Sequence, residues 1–101
     1  MKNNILQDKS YSFAIEIVKV SQKLISEKRE FILSKQILRS GTTIGALIRE
    51  AEFAQSKLDF IHKMSIALKE ANETLYWLSL LKDTFFIDEL YLINYRIIVE
   101  S

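Results

Sequence analysis

One histidine, no cysteine and thirteen carboxylates are the whole supply from which this chain of 101 residues could build an acid–base or metal site. His62, Glu70 and Glu73 share a segment, yet a carboxylate-bridged metal pair in a helix bundle takes Glu-x-x-His from each of two helices plus further inward glutamates. A single histidine does not fill that set. No serine stands in a motif with a histidine and an acid, and carboxylate pairs alone are common on helix surfaces. The residues therefore predict no catalytic group, no metal and no cofactor, and the chain is read as a non-enzyme.

The other segment with chemical potential is residues 39–52, RSGTTIGALIREAE, which holds the only two glycines, Gly41 and Gly45, in a chain without proline. A phosphate loop needs GxxxxGK[ST] after a strand that aims it. GTTIG has neither. Placed on a helix, glycines four apart make a shallow groove that another backbone can approach closely. The alternative is a hinge. Two helical glycines cost about 2 kcal/mol of propensity relative to alanine, which close packing would offset.

At 100° per residue, Arg39, Thr43 and Glu50 lie within about 60° of each other, opposite the Gly41/Ile44/Ile48 face. A second polar stripe, Asp59, His62, Lys63, Glu70 and Glu73, ends at Trp77. Such stripes are either solvated faces laced with i,i+4 pairs such as Asp59 with Lys63, or an interaction face made of Arg39, Thr43, Glu50, Asp59, Lys63, Glu70, Glu73 and Trp77.

Four helical segments must position these residues. The first covers about 8–29, with Phe13, Ile17, Val20 and Leu24 in steps of four, three and four. The second covers 33–55, with Ile37, Gly41, Ile44, Ile48 and Ala51 on its packing face. The third covers 57–82: Ser56 is its cap, and Asp59 reaches back in the manner of a capping box. Its seam reads Ile61, Ser65, Leu68, Asn72 and Leu75. LYWLSLL, residues 75–81, is apolar all round and predicts burial from several directions, by neighbouring helices and another subunit. Asp88 caps a short last helix over 88–100. The connections are short and no period-2 pattern competes, so the expected architecture is all-α: one domain over 1–101, an antiparallel up-down-up-down four-helix bundle.

Composition bounds the rest. Nearly half the residues are apolar and the formal charge is +1, a globular balance rather than a disordered one. Residues 1–50 carry nine Lys/Arg against five Asp/Glu, and residues 51–101 five against eight. That asymmetry suits pairing of helices or subunits and falls short of a dedicated nucleic-acid footprint. The first twenty residues are broken by charges before any long apolar run, so they read neither as a signal peptide nor as a membrane span. A soluble, cytoplasmic protein is expected.

The stretches RSGTTIG, REA, SKLDFIHK and KEANETLYWL, within residues 37–83, closely resemble the bacterial four helix bundle family, also called the 23S rRNA-intervening sequence proteins. The resemblance implies an antiparallel four-helix bundle, with homopentameric rings among the members. It also implies relatives that serve diversity-generating retroelements as accessory proteins, binding nucleic acid and reverse transcriptase. The family name records that some of its genes lie in insertions of 23S rRNA genes. Arg39, Ser40, Glu50, Asp59, Lys63, Glu70, Glu73 and Trp77 match family positions; Leu47 stands where the family commonly has asparagine.

Two functions follow as expectations. One is a homo-oligomer, pentameric by the resemblance, that presents a repeated surface to a protein partner. The other is RNA binding by an assembled ring through Lys19, Lys23, Lys28, Arg29, Lys35 and Arg49, with Arg39 a further cation on the same surface.

Overall fold

The computed structural model describes residues 4–88. Those residues form three α-helices and no strand: α1 (Asn4–Lys28), α2 (Leu33–Glu52) and α3 (Lys57–Asp83). The expected last helix lies, from residue 89 on, outside the described residues.

Each helix end has a local cause. α1 stops where Arg29 takes a left-handed φ of 55°, and the Glu30 N–H turns back to the Leu24 carbonyl at 2.9 Å. α2 lacks a side-chain cap at Ile32. Instead Glu30 Oε1 accepts the Ser34 N–H at 2.8 Å, satisfying one of the orphan donors of the first turn. α2 ends at Glu52, short of the expected 55, because Phe53 leaves the helical region. Ser56 then caps α3 from an extended backbone, its Oγ accepting the Asp59 N–H at 3.0 Å. Asp59 reaches back, but to the Gln55 N–H at 3.2 Å, one residue before the cap. α3 closes in a Schellman motif, with the Phe86 N–H on the Leu81 carbonyl at 2.8 Å and the Phe85 N–H on the Lys82 carbonyl at 3.0 Å. The left-handed position, φ 68°, is filled by Phe85 rather than glycine.

α2 packs on both neighbours. Ser10 and Ile17 of α1 meet Gly45 and Gly41, and Ser21 bonds the Ser34 carbonyl, so rising numbers in α1 meet falling numbers in α2. Across the other flank Arg39 meets Glu73 and Glu50 meets Lys63, again antiparallel. No Cα of α1 comes within 8 Å of one in α3. The arrangement is up-down-up, with α1 and α3 held apart by α2.

Phe13, Ile17, Val20 and Leu24 of α1 are buried, as are Ile37, Gly41, Ile44, Ile48 and Ala51 of α2. Each large one contributes about 1.5–3 kcal/mol of burial. The third helix differs from its sequence reading. It buries Ala67, Ala71, Thr74, Leu78 and Leu81, whereas of the expected seam Ile61 is 48 % and Leu68 59 % exposed and Leu75 packs against the core. Small residues admit α2 closely, so the helix rotates its alanines inward and leaves its larger apolar chains on another side. Within residues 75–81, Leu78 and Leu81 are fully buried while Tyr76 is mostly exposed.

Candidate functional site: the polar seam between α2 and α3

The two polar stripes face each other across the α2–α3 contact and join into two clusters. In the first, Arg39 Nη1 donates to Glu70 Oε1 at 3.1 Å and Nη2 donates to Glu73 Oε2. The same Glu73 oxygen accepts the Trp77 indole N–H at 2.9 Å. In the second, Lys63 Nζ lies 3.6 Å from Asp59 and 3.8 Å from Glu50. Thr43 belongs to neither: its hydroxyl donates to the Arg39 carbonyl one turn back at 2.6 Å.

The electrostatics follow from these bonds. The Glu73 carboxyl is held below the ordinary carboxylate range, first by the Trp77 N–H and then by Arg39. The Arg39 guanidinium is held above its ordinary value, chiefly by its bond to Glu73. Arg39 is about half exposed and the Glu70 side chain is 19 % exposed, so each pair alone is worth at most about 1 kcal/mol. One guanidinium gripping two carboxylates fixes how α2 and α3 slide and rotate. That is positioning chemistry.

Beneath the clusters, the Ser40 and Thr74 hydroxyls are hydrogen-bonded at 2.9 Å, both fully buried. The Thr74 oxygen also lies 2.8 Å from the Glu70 carbonyl. A carbonyl only accepts, so the Thr74 proton suits that bond and the Ser40 proton suits the other. The sequence reading missed this pair. Its signal was there: Ser40 falls three residues after Ile37 and four before Ile44, on a face otherwise apolar.

The glycines face α1, away from this seam. A Cβ on Gly41 would stand 2.8 and 2.9 Å from the two γ carbons of Ile17, closer than side chains pack. A Cβ on Gly45 would meet Ser10 at an ordinary 3.4 Å. Leu47 is half-buried and packs against the hydrophobic core.

The candidate cations divide: Lys23, Lys28, Arg29 and Lys35 lie toward the end that holds the α1–α2 connection, and Lys19 and Arg49 lie apart from them. Lys19 pairs with Glu16 on its own helix at 3.8 Å. Lys23 and Lys28 gather with Lys82 at one end of the bundle, among Glu27, Asp83 and Asp88. Arg49 lines a groove at the other end with Gln7, Asp8 and Tyr11. Lys35 and Arg29 are exposed near the α1–α2 connection, while Arg39 is committed to Glu70 and Glu73. Among the described residues no group of three His, Cys, Asp or Glu side chains is placed to hold a metal ion. Nor is any described helix long and apolar enough to cross a membrane.

Residues 2–98 match the family model described as 23S rRNA-intervening sequence protein. The chain belongs to that family. A solved structure from Bacteroides thetaiotaomicron VPI-5482, a protein with unknown function from the S23 ribosomal protein family, is 56 % identical. The match covers 99 % of this chain and 90 % of that one with a TM-score of 0.92. Among curated proteins there is no match. In this member of the 23S rRNA-intervening sequence family, then, the residues that carried the sequence resemblance include those that tie α2 to α3: Arg39, Ser40, Glu70, Glu73 and Trp77.

Proposed function

We propose that this protein is a non-enzymatic, homo-oligomeric four-helix-bundle module of the cytoplasm, whose role is to assemble and to present a repeated surface to a protein partner. The observation that carries the reading is the outward apolar line of α3. Leu58, Ile61, Leu68 and Tyr76 are exposed although the same helix buries alanines against α2, and exposed apolar lines of this size mark interaction surfaces. The fourth helix is read from residues 88–100.

The polar seam supports a scaffold rather than a reaction. Each of its two cations, Arg39 and Lys63, is held between two carboxylates of the same chain, and none of these groups is paired with a nucleophile. Light scattering at micromolar concentration tests the reading: an assembly of several chains is expected, with five the number implied by the family resemblance, and a monomer throughout would overturn it.

RNA binding is the second reading, supported by the exposed Lys28, Arg29 and Lys35 around the α1–α2 connection, which a ring would repeat around its axis. Retention of structured RNA at low salt, falling steeply as salt rises, is its expected outcome. No retention by the purified protein at low salt would remove it.

A further inference from the structure

α1, α2 and α3 alternate in direction, so the end of α1, the start of α2 and the end of α3 meet at one end of the molecule, where Lys28 and Phe85 line one groove. Local backbone preference is broken there repeatedly. Arg29 and Phe85 take left-handed φ values of 55° and 68°, a conformation that glycine adopts at little cost and other residues do not. The chain's only glycines, Gly41 and Gly45, sit inside α2 instead, neither with a positive φ. Ile32 stands at the N-cap of α2 and caps nothing, although Ser, Thr, Asp or Asn in that place would satisfy a free N–H. The opposite end keeps to the rule, with Ser56 capping α3.

Local rules broken together point to side chains held for a task outside the fold. Phe85 is 88 % exposed, Ile32 74 % and its neighbour Phe31 55 %, and Arg29 is exposed beside them. Glu30, the acid of the α1–α2 connection, is turned back onto the Ser34 N–H, and Asp83 is paired with Lys82 at 3.2 Å. Lys28, Arg29 and Lys35 are exposed and hold no ion pair among the described residues. Glu27 and Asp88 are the acids that share this end with them.

We propose that this end of the bundle docks on an anionic membrane surface. Phe31, Ile32 and Phe85 enter the boundary between headgroups and acyl chains, and Lys28, Arg29 and Lys35 meet the lipid phosphates and carboxylates. The long cationic side chains reach the headgroups while their stems cover the apolar residues. The contact lies on the bilayer rather than across it, since no described helix is long and apolar enough to cross. It goes beyond the assembly reading above and does not depend on it. Single-stranded RNA also uses cations and aromatic faces. It gains nothing from an aliphatic side chain, whereas Ile32 is the more exposed of the two apolar residues in the connection.

The full chain, floated with phosphatidylcholine vesicles that contain or lack phosphatidylserine, tests this. Binding is expected only where phosphatidylserine is present, and it should weaken as salt is added. Ile32→Ser should lower the partition by about tenfold by removing an inserted side chain. Arg29→Gly should lower it by about fivefold, one cation's share of the attraction, while melting at the same temperature as the wild type or higher, because glycine suits the left-handed φ. No binding to phosphatidylserine vesicles at low salt would overturn the proposal, as would equal binding to vesicles without it. Undiminished binding by Ile32→Ser would reduce the contact to charge alone and overturn it too. So would a lower melting temperature for Arg29→Gly, which would show Arg29 serving the fold. Retention of RNA without vesicle binding, unchanged in Ile32→Ser, would assign this end to nucleic acid instead.

Discussion

The two flanks of α2 are held by different physics. Toward α1 the contact is steric: Gly41 lets the helix close onto Ile17, and one added methyl would enter the space of that side chain. Toward α3 a polar cluster overlies the apolar packing of Ala67, Ala71, Leu78 and Leu81. Arg39 grips Glu70 and Glu73 over the buried Ser40–Thr74 pair. A steric contact is sensitive to volume and indifferent to salt and pH. A half-exposed ionic contact is the reverse.

The comparison sharpens most at Gly41→Ala. The clashing atoms belong to Ile17, a β-branched side chain that is stiff at χ1 and 2 % exposed. Overpacking costs of about 1–3 kcal/mol exceed the helix-propensity gain of about 1 kcal/mol, so denaturant melts should show a net loss of roughly 1–2 kcal/mol. Next is Thr74→Val, which keeps the shape but removes the hydroxyl and leaves Ser40 buried without its partner. A loss of about 1 kcal/mol is expected, and Ser40→Ala in the same background should return part of it in a double-mutant cycle.

Arg39→Met should cost about 1 kcal/mol or less at low salt, with the difference from wild type shrinking as salt is added. Its pH dependence has a definite sign. Glu73 titrates lower in the folded protein than in the unfolded chain, so its contribution is full above the unfolded carboxylate value of about 4.3 and fades as pH falls through the lower folded value. In Arg39→Met that acid-side loss should be smaller. The smallest effect, and the one of opposite direction, is Gly45→Ala. Its added methyl meets Ser10 at ordinary contact distance, so the propensity term should dominate and melts should rise by about 0.5 kcal/mol. Equal losses at Gly41 and Gly45 would refute the steric account of this flank.

The α1 and α2 packing faces were legible because a 3.6-residue period reports directly which residues share a side: Ile17, Leu24, Ile37 and Ile48 read correctly as core. The close approach at Gly41 was legible from glycine spacing on a helix. α3 was not, because it has two apolar lines. Periodicity shows that Ile61 and Leu68 align as well as Ala67 and Ala71 do, and only the partner helix decides which line turns inward. The polar seam was half legible. Arg39 and the Glu70/Glu73 pair were each placed on a stripe, but they stand 31 and 34 positions apart, and no local pattern links positions at that distance. Their bond depends on how α2 and α3 slide against each other, which tertiary packing sets. The cations show the same limit: a shared half of the sequence did not put Lys23 and Arg49 at the same end of the molecule.

The proposed assembly draws on apolar side chains of α1 and α3 that are exposed among the described residues, and the mass of the native protein in solution tests it most directly. Sedimentation or light scattering across the micromolar range should give several times the 11.8 kDa of one chain, reversibly and with retained helicity. A single species at 11.8 kDa across that range would contradict it.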